Sequence, residues 1–291
     1  MNARKMDSRE LGLVLAQQML SVEDLHYGLW DDDLELSITN LSHAQQRYTD
    51  MIINELPETS HERPVRVLDI GCGTGHLLAQ LVKQNYQVDG VVPSKHLASK
   101  VREKIAGLPG NSSQIFEGRF EDFPDRECST LYDVALFSES YQYIPMEASF
   151  SKIERLLKPG GIVLISDFFR TEAEGDGYSG DKTFSGGHRL KDFYVALNSR
   201  PFSLLKNENI TARVSPNLSL VNDLLMNKVS PAGKTVGIYM KSRYPILSWM
   251  AARVLNKKIK KLKAKYFTGK RSKETFERYK SYRVVKLRYT K

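Results

Sequence analysis

Apolar residues fall into two rhythms along the chain. VRVLDI (65–70), YQVDGVV (86–92), LYDVALFSES (131–140) and GIVLISDFF (161–169) are short runs, apolar on both faces, with the composition of buried strands. SQIFEG (113–118) is a shorter run of the same kind. Between them, HLLAQLVKQN (76–85), KHLASKVREKIAG (95–107) and ASFSKIERLLKPGG (148–161) step their apolar residues by three and four, the spacing of a helix that buries one side. The last of these closes on the turn pair Pro159-Gly160. Strands that alternate with helices and are apolar on both faces predict an α/β fold. Its sheet is parallel, doubly wound and covered on both sides.

The flanks read differently. Residues 8–25 and 41–56 read as helices, the second on Leu41, Ala44, Tyr48, Ile52 and Leu56. LHYGLWDDD (25–33) lies between them as a turn-rich aromatic stretch. After Phe169, TEAEGDGYSGDKTFSGG (171–187) is a glycine-rich loop, HRLKDFYVALNSR (188–200) is helical, and NITARV (209–214) reads as a strand. Residues 216–280 read mostly as helix, and YRVVKLRYT (282–290) alternates as a closing strand. The predicted organisation is a helical N-terminal cap over 1–60, an α/β core over 61–215, a helical lid insertion over 216–280 and a closing strand over 281–291.

Composition adds little to this picture, and charge adds more. A chain of 291 residues, 41% hydrophobic, supports one sizeable core. Its two cysteines, Cys72 and Cys128, have neither metal-ligand spacing nor the density of a disulfide framework, which fits a reducing cytoplasm. No run is long and apolar enough for a signal peptide core or a membrane span. The net charge of +9 is unevenly spread: residues 253–291 carry 16 Lys/Arg and two acids, leaving −5 on the rest. A mildly acidic body with a basic tail points to an anionic partner (membrane lipid, nucleic acid or acidic protein) or simply to a solvated helical face.

The chemistry concentrates in VLDIGCGTG (67–75). Dinucleotide-binding loops space their glycines as G-x-G-x-x-G and seat a pyrophosphate on the following helix. Here the spacing is Gly71-x-Gly73-x-Gly75, and Asp69 stands just before the loop. A carboxylate there repels a pyrophosphate and attracts an ammonium, while loop N–H groups can bind a carboxylate of the same ligand. An adenosine carrying a zwitterionic amino-acid tail suits this arrangement better than NAD does.

VLDIGCGTG resembles the first motif of class I S-adenosylmethionine-dependent methyltransferases, and Leu-Lys-Pro-Gly-Gly at 157–161 agrees with it. The similarity is good over 64–170. It extends weakly to the ends, where HYGLW and the helical insertion look like the tocopherol, sterol and sugar O-methyltransferase group. The resemblance implies a Rossmann-like methyltransferase sheet with a helical N-terminal segment and a helical insertion before the last strand. It implies S-adenosylmethionine as cofactor, its methionine end held by Asp69, Gly71 and Gly73, with Cys72 of the same loop also at the cofactor. By the same resemblance EGRFEDFP (117–124) borders the adenine, with Phe120 offering a backbone N–H and Glu121 or Asp122 accepting from the amino group. Ser138, ending the fourth strand, would lie beneath the cofactor near the transferred methyl. One position departs from the pattern: relatives end the second strand with an acid that holds both ribose hydroxyls, and here Val92 stands there. Strand alternation turns Asp89 the other way. Loss of that acceptor costs about 1–3 kcal/mol, for which Ser94 or another residue would compensate.

Methyl transfer needs an aligned nucleophile and a proton acceptor. The first candidate base is His188, in a glycine-flanked loop beyond the fifth strand, where open α/β sheets bind ligands. Tyr27, with His26, is placed over the cofactor by the resemblance. Tyr141 and Tyr143 follow the fourth strand and suit substrate contact better than proton removal, since a phenol with a pKa near 10 is a weak base. His43, His61, His76 and His96 show no metal spacing, and no metal is expected. Residues 248–267 set Ala251, Leu255, Ile259, Leu262 and Tyr266 on one stripe among lysines. Such a helix suits an anionic membrane surface, an acidic carrier protein or a lid packed over the acceptor pocket. The implied function is methyl transfer to oxygen or carbon of a hydrophobic small molecule, lipid-like or carrier-bound, at a cytoplasmic or peripheral membrane location. Two alternatives remain. A nucleic-acid methyltransferase is disfavoured because Ser138-Glu-Ser-Tyr replaces the Asn/Asp-Pro-Pro-aromatic motif of the amino-group enzymes. A non-catalytic S-adenosylmethionine-binding module is suggested by Val92.

Overall fold

The computed structural model describes residue 22 and residues 26–125, 131–173, 186–250, 252–253, 256–257 and 272–291. The expected helix over 8–25 and most of the basic stretch 248–267 lie outside these residues. In chain order the described elements begin with α1 (Leu41–Asn54), β1 (Arg66–Ile70), α2 (His76–Lys83), β2 (Gln87–Val92), α3 (Lys95–Ile105), β3 (Ile115–Glu117), β4 (Tyr132–Ser138), α4 (Met146–Leu156) and β5 (Leu157–Arg170). They continue with α5 (Leu190–Asn198), β6 (Phe202–Asn209), α6 (Thr211–Val214), α7 (Pro216–Asp223), a π-helical stretch Leu224–Val229, α8 (Ser230–Arg243), α9 (Lys273–Tyr279) and β7 (Lys280–Tyr289).

The strands form one seven-stranded sheet in the order β3-β2-β1-β4-β5-β7-β6. β1 to β5 run parallel, as their two-sided apolar runs require, and β7 inserts antiparallel between β5 and β6. Alternation along the strands feeds two cores. Val67, Val134, Leu136, Leu164 and Val284 face one side, packed with Tyr48 and Ile52 of α1 and with Leu78 and Leu81 of α2. Leu68, Ile70, Ala135, Phe137, Val163 and Val285 face the other, packed with Phe150 of α4 and Phe193 of α5.

Three expectations are corrected. The strand read at NITARV is displaced: β6 is Phe202–Asn209, paired with β7, and the chain turns into α6 at once. Ile210 and Val214, four residues apart, are both buried, which is helical spacing. The helix expected to run through 148–161 ends at Leu156, and Leu157 to Gly161 open β5 through an irregularity opposite Tyr132 and Val134. The lid reading of the insertion is not met over α8, which buries no residue and leaves Val236, Ile238 and Tyr239 exposed, whereas Asn217 and Leu218 of α7 and Phe276 of α9 are buried.

Candidate active site

The glycine loop leaves β1 at the carboxyl edge of the sheet. The N–H groups of Gly71 and Cys72 both donate to the Val91 carbonyl, at 2.8 and 3.2 Å, which ties the loop to the end of β2. Gly71 is dictated by close approach: a Cβ there would lie 2.4 Å from Ser140 Cβ. Gly73 has a left-handed φ of +53°, and a Cβ built on it would meet nothing nearer than the Gly71 carbonyl at 4.0 Å. The backbone at Gly73 is therefore a cradle open to a ligand.

That cradle forms one wall of a cavity of about 180 Å³, with Asp69, Gly71, Cys72, Thr74 and Leu77 around it. Leu97, His26, Ser138 and Glu139 line the same cavity. The volume is below the about 300–1,000 Å³ usual for small-molecule sites, so it accommodates part of such a ligand. The donor set fits the methionine end of S-adenosylmethionine: a carboxylate at the mouth for the ammonium, an open glycine backbone, and apolar Leu77 and Leu97 beside it. Cys72 is buried, and burial, then the negative charge of Asp69, holds its thiol well above the usual range. It is therefore a neutral wall group and not a nucleophile. Among the described residues no cluster of three or more His, Cys, Asp or Glu is arranged to hold a metal. A larger cavity of about 780 Å³ lies between α5 and the start of β7, beside Tyr194, Lys280 and Arg283, and includes none of these groups.

The structure thus gathers Asp69, Gly71, Cys72, Gly73 and Ser138 around one cavity and leaves the other expected cofactor residues outside it. Val92 is packed in the core at 2% exposure. Asp89 does turn away: it accepts from the Tyr132 hydroxyl at 2.6 Å and the Gln114 N–H at 2.8 Å. Ser94 is an N-cap, its hydroxyl accepting the Leu97 N–H of its own helix at 3.3 Å. Phe120 is buried with its ring edge-on to Phe137, and Glu121 pairs with Arg119.

The acceptor-side candidates separate more sharply. His188 Nε2 lies 2.9 Å from the Ile144 carbonyl and 3.2 Å from that of Tyr141. Carbonyls only accept, so Nε2 carries the proton and donates; it bolts a loop to the end of β4 and is corrected as a base at that atom. Tyr143 is 78% exposed and is not among the residues that line the cavity. Tyr27 acts through its backbone: its N–H donates to Glu139 Oε1 at 2.8 Å, and its ring packs beside Phe276 and Tyr282. His26 lines the cavity, stacked on Tyr48, with Nδ1 donating to the Tyr27 carbonyl at 2.8 Å. In the neutral ring that tautomer puts the lone pair on Nε2.

The residue that the strand pattern did not single out is Glu139. It stands just past β4 with φ of +54°, and its carboxylate lines the cavity. A positive φ at a bulky residue marks a conformation that its surroundings over-determine. Here the Tyr27 N–H and the Tyr282 hydroxyl, at 2.8 and 2.9 Å, both donate to Oε1. The Tyr282 hydroxyl lies 2.9 Å from that of Tyr48, which reaches Ser166 Oγ at 2.8 Å and Ser138 Oγ at 3.2 Å. Burial, reinforced by the Glu139 charge, raises both phenols, so they serve as neutral donors. Asp167, beneath this network and fully buried, is pushed up to about 8 by burial against the opposing N–H bonds of Gln142 and Phe168. An acid directly after a central strand was the only sequence signal for Glu139. Its phenolic partner, Tyr282, comes from β7, far away in the chain, and Tyr48 of α1 joins through Tyr282.

Comparison with known proteins places the fold in a family. Residues 41–191 match the family model described as a methyltransferase domain. A malonyl-[acyl-carrier protein] O-methyltransferase of Halalkalibacterium halodurans is 27% identical over 136 residues, 44% of this chain and 49% of that protein. A sterol 4-C-methyltransferase of Caenorhabditis elegans is 29% identical over 109 residues, 37% of this chain and 32% of that protein. The chain thus spans half or less of the length of these curated relatives. Geranyl diphosphate C-methyltransferase from Streptomyces coelicolor A3(2), solved with S-adenosyl-L-homocysteine, superimposes with a TM-score of 0.66 at 13% identity, over 95% of this chain and 91% of that one. At that identity the likeness shows the fold alone. The family match covers more than half of the chain, including the glycine loop and the acid after β4, and the chain belongs to the methyltransferase domain family.

Proposed function

We propose that the protein transfers a methyl group from S-adenosylmethionine to oxygen or carbon of a hydrophobic small molecule. The observation that carries this reading is one cavity lined both by an ammonium-seeking carboxylate, Asp69, and by proton-accepting groups, Glu139 and His26. When bound, the cofactor supplies an electrophilic methyl on a sulfonium. The protein's share is to seat its amino-acid tail on Asp69 and the Gly71–Gly73 backbone, align the acceptor, and take the proton that the acceptor loses.

Glu139 is the better placed of the two proton acceptors. Two hydrogen bonds to one carboxylate oxygen fix its orientation beside the cavity. A general base of this kind contributes on the order of 10²–10⁴-fold. The malonyl-acyl-carrier and sterol methyltransferases among the relatives support an apolar or carrier-borne acceptor.

The test is label transfer from methyl-labelled S-adenosylmethionine into a chloroform-soluble lipid extract, run beside acyl-carrier-bound substrates. Label appearing in an extractable product, and falling by about 10²–10⁴-fold in Glu139→Gln while S-adenosylhomocysteine still binds, supports the assignment. Failure of the wild-type protein to bind S-adenosylhomocysteine would overturn it. So would transfer to RNA or DNA in place of lipid.

A further inference from the structure

The helical insertion carries a surface that the methyl-transfer site does not use. Between α7 and α9 packing lapses: no side chain of α8 is buried. Val236, Ile238, Tyr239, Ile246, Leu247 and Trp249 are all more than half exposed, Ile246 at 74% and Trp249 at 61%. Monomeric proteins rarely present so many large apolar side chains in one short segment without covering them. Charge is equally one-sided: from Leu224 to Lys273 the sequence has 14 Lys/Arg and no Asp or Glu.

We infer that this segment docks the protein on an anionic lipid bilayer, its apolar side chains entering the interface and its cations meeting lipid phosphates. Apolar anchors with an entirely cationic accompaniment match a diffuse, negatively charged, apolar-cored surface. An acidic protein would match the charge and leave most of the exposed aliphatic side chains uncovered. Among the described residues no helix is long and apolar enough to cross a membrane, so contact is peripheral.

The root of the segment ties the surface to the site. Asn217 of α7 accepts the Gly28 N–H at 2.9 Å and donates to the Gly28 carbonyl at 2.6 Å. Gly28 follows Tyr27, whose N–H holds Glu139. Docking therefore acts one residue from the strap that positions the proposed base. That link rests on the methyl-transfer reading, whereas the docking itself does not.

The experiment is co-sedimentation of the full chain with vesicles of phosphatidylcholine alone and of phosphatidylcholine and phosphatidylglycerol in equal amounts. Tryptophan emission is read in parallel. The protein has two tryptophans, of which Trp30 is buried and Trp249 exposed, so a blue shift on vesicle binding that vanishes in Trp249→Phe reports insertion of the segment. Sedimentation and a blue shift with the mixed vesicles, both weakened by salt, are expected. Lys257→Gln/Lys258→Gln/Lys260→Gln/Lys261→Gln lowers partitioning by on the order of a hundredfold or more, and Ile246→Ser/Leu247→Ser lowers it independently. Retained S-adenosylhomocysteine binding shows that each variant is folded. Absence of sedimentation with mixed vesicles at low salt would overturn the inference, as would equal partitioning of the quadruple variant. Binding to a purified acidic acyl carrier protein with none to vesicles would replace it with a protein partner. Vesicle binding without S-adenosylhomocysteine binding would leave the docking surface standing and remove the methyltransferase reading.

Discussion

Asp69→Asn tests what the glycine loop holds without knowledge of the acceptor. Asp69 is 2% exposed at the end of β1, its carboxylate facing the same cavity as the Gly73 backbone. If it receives the ammonium of the cofactor's amino-acid tail, the substitution converts a charged hydrogen bond in a site shielded from water into a neutral one. Hydrogen bonds to charged groups are worth about 1.5–3 kcal/mol, which is roughly a ten- to hundredfold rise in Kd. Calorimetric titration with S-adenosylhomocysteine reads this directly. The informative control is 5′-methylthioadenosine, which keeps the nucleoside and sulfur and lacks the amino-acid tail. Its affinity is expected to be unchanged by Asp69→Asn. Equal weakening of both ligands would refute the reasoning, because it would mean that Asp69 acts through the shape of the loop. A fall in Tm of more than a few degrees in the variant would point the same way.

Three further outcomes follow from the geometry. Gly71→Ala forces a Cβ to 2.4 Å from Ser140 Cβ at a left-handed φ of +84°, so it lowers stability by about 2–3 kcal/mol in denaturant melts, and Ser140→Gly restores part of that loss. Asp167 has its folded-state pKa raised to about 8, so the folded protein retains a proton that the unfolded chain has lost; its contribution is full below pH 4 and is lost as pH rises toward 8. Melting temperature should fall across that window more steeply in the wild type than in Asp167→Asn, and parallel curves would reject the assignment. His188→Ala should cost about 1–2 kcal/mol of stability through its carbonyl bonds, while the pH dependence of turnover stays unchanged; loss of one limb of that profile would restore His188 as a base.

The parts of this protein that were legible in the sequence are those set by local physics. Two-sided apolar runs can only be buried strands of a covered sheet, and VRVLDI, YQVDGVV, LYDVALFSES and GIVLISDFF became β1, β2, β4 and β5. The glycine spacing and Asp69 were equally readable, because steric freedom at Gly73 and charge at the strand end are properties of adjacent residues. The closing strand was visible too, since a period of two survives whatever it pairs with. Only the tertiary structure decided which side chains share the cavity. Glu139 is held by Tyr27 and Tyr282, residues more than 250 positions apart in the chain, and Tyr48 joins them from a third element. Ser94 and His188 were drawn into a helix cap and a loop bolt, because a polar group bonds the nearest unsatisfied backbone partner, and that partner is known only once the chain has folded. The insertion shows the same limit: the sequence of α8 does not say whether its apolar residues are covered, and only packing shows that Val236, Ile238 and Tyr239 are left exposed.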